Sequence, residues 1–523
     1  MKRLLIFVAL SWSASLAAAP PQGFEQRVET LRKAVGVPGV SISIVEDGKV
    51  TMAKGFGVKR LGSPDPVGPD TLFSTGSTGK AVTVAALATL VDQGKIGWDD
   101  KVVDHLTWFQ MYDPWVTREM TVRDLLVHRS GLGLGAGDLL FVPDAKASRA
   151  ESVRRLRYIK PATSFRSGFA YDNVLYMVAG QLIEAVTGET FEKYVAEHVF
   201  KPAGMLHSTS DEDIRLTRPD RAQPHARLGG AIRGIGQQQV LNEREGLGRN
   251  AAPAGGLAVS ANDMTRWLLI QLAHGKLPEG EGRLFSEAAS KEMWTPVVFQ
   301  PIDELPPALA AAVPNFSTYA LGWDVQDYKG EKIIMHGGFV WGFKTAVVLI
   351  PKRNVGFSIA INSEDGVLIN GLLYELLDHY LGKPNEDWPA AWMAYKQQLV
   401  ANATKSLSVQ TAKRAKVGPS LAPARYAGRY VDPWYGPIDV AATDGKLAID
   451  FHHTRGMKGR LDHWQYDTFV TRFDDPTIEP AYVTFALDAD GKVDRVTMKA
   501  VSPTADFSYD YQDLLFTPAK AQQ

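Results

Sequence analysis

The chain has 523 residues, too many for one compact core, so two or three domains are expected. A formal net charge of −1 argues against broad attraction to nucleic acid or anionic lipid, although a local patch stays open. The absence of cysteine excludes disulfides, a thiolate nucleophile and a cysteine-ligated metal, but it does not exclude export.

Residues 1–19 read as a signal peptide. Lys2 and Arg3 are basic, Leu4 to Ala18 is a short apolar run, and small residues follow. Ser15 and Ala17 suit cleavage after Ala17. Cleavage after Ala19 would put Pro20 first, which is disfavoured. An uncleaved anchor is the alternative, but the run is shorter than the ~20 residues a spanning helix needs. No later segment is long and apolar enough to span a bilayer. A periplasmic or secreted protein is expected.

Gly36 to Gly57 reads as a hairpin: β-branched residues run over Val40 to Val45, Asp47-Gly48 turns, and Val50 to Phe56 returns. Ser77 to Gln93 reads as a buried helix stopped by Gly94. From about 100 to 290 the pattern is mostly helical. Thr121 is placed to cap a helix over Val122 to His128, Val174 to Val186 is an apolar helix ended at Gly188, and Asn262 is placed to cap Met264 to Leu272. Short strands are expected at Tyr319 to Val325, Lys332 to His336, Lys344 to Ile350 and Gly356 to Ile361, followed by an amphipathic helix over Val367 to Leu381.

Strands, then helices, then strands imply one sheet built from both ends of a catalytic domain, 24–384, with a helical insert. Residues 385–420 read as a helical or extended linker. Residues 421–523 are strand-rich, with Asp444-Gly445 and Asp490-Gly491 turns, and suggest a small β-barrel or sandwich.

Three motifs carry chemistry. Ser77-Thr78-Gly79-Lys80 is an S-x-x-K element, which on a helix puts hydroxyl and amine on one face. A serine hydroxyl needs a base. Free lysine, with a pKa of about 10.4, must be depressed by ~3 units to serve near neutrality. Tyr171-Asp172-Asn173 precedes an apolar helix. Its phenol could share the proton, and its amide could hold Lys80 and orient a substrate carbonyl. His336-Gly337-Gly338 closes a strand. There the N–H of Phe339 would be an oxyanion donor beside that of Ser77, the glycines would admit a substrate backbone, and His336 could donate to a carboxylate or aid proton transfer. Each motif alone fits a plain structural role: a capped helix with a solvent-facing lysine, a core tyrosine with a capping asparagine, a strand-end histidine.

Together, in this order, the three resemble the signature of serine β-lactamases and penicillin-binding proteins. The third departs from the usual Lys-Thr-Gly and is similar to esterases and D-aminopeptidases of that superfamily. Thr121 to Leu132 (TVRDLLVHRSGL), Gly188 to Met205 and Pro253 to Asp263 (PAGGLAVSAND) also resemble it, and Tyr426 to Val440 looks like the β-rich domain often appended to such hydrolases. The resemblance implies an α/β (α+β) fold with an antiparallel sheet and helical insert. It implies an acyl-Ser77 intermediate, Lys80 coupled to Tyr171 as the base, and Asn173, Gly338, Phe339 and His336 around the substrate. It also implies no cofactor. Expected substrates are small or linear peptides, including ones with D-residues, and linearised microcystin is one candidate. A carboxylesterase, a weak β-lactamase, a penicillin-binding sensor and an inactive scaffold are the alternatives. A homo-oligomer through the C-terminal domain is a further expectation. His128 fits packing and C-capping. His452, His453 and His463 lack the spacing of a metal site.

Overall fold

The computed structural model describes residues 19–244 and 246–520. The signal-peptide reading lies almost wholly outside them.

Helix α1 (Phe24–Val35) leads into strands β1 (Gly39–Glu46) and β2 (Lys49–Gly57). Their turn is Asp47-Gly48, both with positive φ (46° and 74°), the geometry a tight hairpin demands and the reason glycine follows aspartate here. Helix α2 spans Lys80–Asp92, α3 Val174–Thr187 and α4 Ala261–Leu272. Strands β3 (Val298–Phe299), β4 (Ser317–Tyr319), β5 (Asp324–Tyr328), β6 (Glu331–Val340), β7 (Phe343–Ile350) and β8 (Val355–Ile361) precede helix α5 (Gly366–Leu381). One eight-stranded sheet runs in the order β2-β1-β8-β7-β6-β5-β4-β3, with every neighbouring pair antiparallel. Both ends of the domain therefore build the sheet.

Strands β1 and β8 are buried at every residue because helices cover both faces. Leu368, Leu372 and Leu376 of α5 and Val28 of α1 share one core with Ile42 and Ile44. On the other face small side chains let α4 approach, and the Ser43 hydroxyl donates to the Ala261 carbonyl at 2.8 Å. Helices α2 and α3 are the heart of the second core, with Val84, Leu87, Tyr176 and Met177 fully buried.

Several local expectations are corrected. The segment Tyr319 to Val325 is two strands, not one, because Gly322 turns between them at φ 77°. The Thr121 region is a short 3₁₀ turn, Arg123–Leu126, in which the Thr121 hydroxyl still accepts from the Asp124 N–H and Asp124 Oδ2 accepts from the Thr121 N–H. Ser260, not Asn262, caps α4 by accepting from the Asp263 N–H, and Asn262 instead donates to Asp70. The helix expected from Ser77 begins with a 3₁₀ turn, Gly76–Gly79, so α2 proper starts at Lys80.

Helix α6 (Trp388–Ala412) follows α5, and residues 428–518 form a closed antiparallel barrel of eight strands in chain order, sealed by pairing Gly428–Asp432 with Leu515–Pro518. Closure removes the exposed edges a sandwich would have kept. Aromatic rings fill it: Tyr426, Tyr430, Phe451, Phe469, Phe485 and Phe516 are all buried. His452 pairs with Asp439, and His463 bonds the Tyr466 carbonyl.

Candidate active site

Two glycines bring the first and third motifs together. Gly76 has φ +53°, and a Cβ there would lie 2.7 Å from the Phe339 nitrogen. A Cβ on Gly338 would lie 2.1 Å from the Thr75 carbonyl oxygen and 3.2 Å from the Thr78 nitrogen. Strand β6 therefore crosses directly over the turn that carries Ser77. Thr345 of β7 secures it, donating to the Thr75 carbonyl at 2.6 Å.

Lys80 is wholly buried. Its Nζ lies 2.9 Å from Ser77 Oγ, 2.7 Å from Asn173 Oδ1 and 2.8 Å from the Ala254 carbonyl oxygen. Burial depresses its pKa to about 7, against the opposing pull of Asp138 and Asp172. This geometry determines what a neutral amine does. The Asn173 oxygen and the Ala254 carbonyl can only accept, so they take both N–H bonds. The nitrogen lone pair then points to the Ser77 hydroxyl.

Asn173 does not cap α3. Its Oδ1 faces Lys80, and its Nδ2 donates to Asp138 Oδ2 at 2.8 Å. The Tyr171 ring centroid is 4.8 Å from Lys80 Nζ. Its buried hydroxyl has no hydrogen-bond partner, and burial raises its pKa well above the usual tyrosine value; the nearness of Ser77 pulls the other way without a bond of good geometry. At rest Tyr171 is a phenol, not a phenolate. Asp172 faces inward, held by the Ser130 hydroxyl at 2.7 Å, and His128 packs on Tyr171 at 4.1 Å between centroids.

His336, on β6, is buried. Its Nδ1 bonds the Gly337 carbonyl at 2.5 Å and its Nε2 accepts from the Tyr319 hydroxyl at 2.8 Å. Burial lowers its pKa to about 3, helped by the nearby Lys80. Both ring nitrogens are engaged, so neither is free for a substrate carboxylate. The imidazole supports the glycine strand as a neutral ring.

Ser77, Tyr171, Asn173, His336, Gly338 and Phe339 thus line one cavity of about 620 Å³. A larger one, about 840 Å³, adjoins it at Leu247 and Trp341 but lacks the Ser77 side chain. Residues the motifs did not reveal are Asp138, Tyr319, the Ala254 carbonyl and a segment of the barrel, Asp506 to Tyr509. Ala254 lies in the stretch PAGGLAVSAND and Tyr319 opens an expected strand, but neither signal marks a partner of the site. No cluster of metal-ligating side chains occurs among the described residues.

The chain is similar to known proteins. The beta-lactamase family profile matches residues 24–377, and a domain of unknown function, DUF3471, matches 412–518. An unguisins hydrolase of Aspergillus campestris is 30% identical over 439 residues, covering 80% of this chain and 77% of that protein. Protein flp of Staphylococcus aureus is 25% identical, covering 62% of this chain and 60% of that one. Among solved structures, the octameric penicillin-binding protein homologue from Pyrococcus abyssi superposes with a TM-score of 0.58 at 20% identity, covering 91% of this chain and 97% of that one. The chain belongs to the beta-lactamase family and is a serine hydrolase with a C-terminal barrel.

Proposed function

We propose that the enzyme is a peptidase or amidase that works through an acyl-Ser77 intermediate. The observation that carries this reading is the 2.9 Å contact between the Ser77 hydroxyl and a buried amine whose pKa sits near 7. Neutral Lys80 takes the Ser77 proton as the hydroxyl attacks the carbonyl. The N–H groups of Ser77 and Phe339 receive the developing oxyanion. Tyr171, a phenol poised beside both groups, passes the proton to the leaving nitrogen. Water then attacks the ester, with Lys80 again the base.

Small or linear peptides, including those with D-residues, are the preferred substrates, linearised microcystin among them. Three buried donors without partners line or edge the cavity: the Tyr171 and Tyr509 hydroxyls and Trp341 Nε1. Unmet donors favour an occupant rich in acceptors, such as a peptide, over a simple alkyl ester. Lys344 and Asp506 also line it without an ion pair among the described residues. The likeness to a named unguisins hydrolase supports the same reading. A carboxylesterase is the second reading. Hydrolysis of D- and L-aminoacyl p-nitroanilides, p-nitrophenyl esters, nitrocefin and linear peptides decides between them. The proposal expects the highest kcat/KM on a peptide or anilide, and a uniform preference for esters contradicts it.

Gly338→Ala provides a separate check on the oxyanion strand. The new methyl would strike the Thr75 carbonyl, so β6 must lift away from Ser77. A displacement of that kind should cost about 10²-fold in kcat. Wild-type kcat in this variant would show that Phe339 takes no part.

The basic and apolar N-terminus supports export, which fractionation of expressing cells checks. The octameric homologue makes a homo-oligomer the first expectation in solution.

A further inference from the structure

The barrel reaches the nucleophile. Between its last two strands, Val493–Ala500 and Leu515–Pro518, the chain leaves the barrel wall and enters the helical lobe. The Phe507 carbonyl packs against Gly135, where a Cβ would lie 2.6 Å away and φ is +69°. The Phe507 ring meets Tyr171 edge-on at 5.9 Å. Asp510 accepts from the Gly137 N–H. Ser508, buried, donates to Asp138 Oδ2 at 2.8 Å.

From there hydrogen bonds run without a break to Ser77. Asp138 Oδ2 accepts from Asn173 Nδ2 at 2.8 Å, Asn173 Oδ1 accepts from Lys80 at 2.7 Å, and Lys80 meets Ser77 Oγ at 2.9 Å. We propose that Ser508 is a positioning residue of the active site, supplied by the barrel to fix the Asp138 carboxyl, which in turn sets the orientation of the Asn173 amide that holds Lys80. This rests on the reading of Lys80 as the base.

The physical reason is the two-faced nature of an amide. Asn173 could present its oxygen or its NH₂ to Lys80, and only the oxygen lets the amine donate and keep its lone pair for Ser77. A carboxyl oxygen that accepts selects the NH₂ for its own side and so leaves the amide oxygen facing the lysine. Asp138 Oδ2 takes two donors, Ser508 and Asn173, while Oδ1 has no partner. A proton on this buried acid therefore goes to Oδ1, and Oδ2 stays an acceptor. Without the Ser508 hydroxyl the carboxyl is free to rotate or to protonate at Oδ2, and the amide loses its reason to keep one face.

Lys80, from α2, and Asp506 and Asp510, from the barrel segment, are the titratable groups facing Asp138. Asp138, Asp172, His128 and His336 face Lys80, with the rings of Tyr171 and Tyr176 beside it. Burial already raises the Asp138 pKa to about 8, so this acid is largely neutral where Lys80 titrates, and loss of the Ser508 donor acts through the Asn173 amide. An amide that turns its NH₂ toward Lys80 withdraws an acceptor from the ammonium form, which is then less favoured, and the acid limb of the pH–rate profile moves to lower pH.

The test uses the full-length protein with D-alanyl p-nitroanilide and p-nitrophenyl acetate, following kcat and KM across pH. Ser508→Ala should lower kcat about tenfold with KM near wild type, and should move the acid limb to lower pH. Ser508→Thr, which keeps the hydroxyl, should restore both. If Ser508→Ala does not fold, Asp138→Asn, of the same shape, should move the limb in the same direction. An acid limb that stays at the wild-type pH in the folded variant overturns the proposal, whether or not kcat falls. Ser77→Ala run alongside separates the two levels: if it stays active the acyl-enzyme reading falls, whereas an inactive Ser77→Ala with an unmoved limb removes the positioning role alone.

Discussion

Ser77→Ala should lower kcat by at least ~10³-fold on every substrate the wild type turns over, with KM changed little. Among the described residues that line the cavity, Ser77 carries the hydroxyl that lies 2.9 Å from a buried amine, no cysteine exists, and both His336 nitrogens are engaged. The fold should survive. Lys80 keeps its bonds to Asn173 and the Ala254 carbonyl, and the turn is held by Gly76, Gly338 and Thr345 rather than by the serine side chain. Steady-state kinetics on p-nitrophenyl esters and anilides checks this. Residual activity at the wild-type level would place the chemistry elsewhere.

Lys80→Met should be comparably severe, about 10²- to 10⁴-fold in kcat, the range for loss of a positioned base. It should also reshape stability against pH. In the native protein the amine titrates near 7, against a usual value of 10.5. Between those values the unfolded chain holds the proton and the native chain does not, so raising the pH favours the native state; below about 7 that contribution is absent because both states are protonated. Wild-type stability measured against Lys80→Met should thus improve as pH climbs from neutrality, by at most about 1.4 kcal/mol per pH unit. Denaturant unfolding of the pair at several pH values reads it. A difference independent of pH would mean that the buried amine titrates normally.

What the sequence revealed follows from distance along the chain. Ser77 and Lys80 are three residues apart, so one turn joins them whatever the rest of the fold does. The hairpin at Asp47-Gly48 and the glycine-ended helix at Gly188 were equally local. Asn173, its hold on Lys80 and Gly338 came from the motifs, whereas the amide's second partner, Asp138, and the Thr75 carbonyl beside Gly338 are set by tertiary packing. Asp138 sits in a 3₁₀ turn with no periodicity to draw attention, and Ser508 lies 370 residues further on in another domain. Tyr319 looked like an ordinary strand residue, yet its hydroxyl donates to Nε2 of His336, whose tautomer the Gly337 carbonyl fixes. The expectation that His336 meets a substrate carboxylate depended on a free ring nitrogen, and that was decided by its neighbours. The split at Gly322 and the Ser260 cap were lost to choices between adjacent residues that only tertiary packing resolves.

The central claim is that a neutral, buried lysine activates Ser77. A fluorophosphonate probe reads it directly, because the rate of covalent labelling reports serine nucleophilicity with no leaving-group step of a natural substrate involved. Followed against pH, labelling of the wild type should rise through an apparent pKa near 7 and map by mass spectrometry to Ser77, and Lys80→Met should label far more slowly with no such inflection. Labelling that keeps climbing toward pH 10, or that persists unchanged in Lys80→Met, would contradict the account.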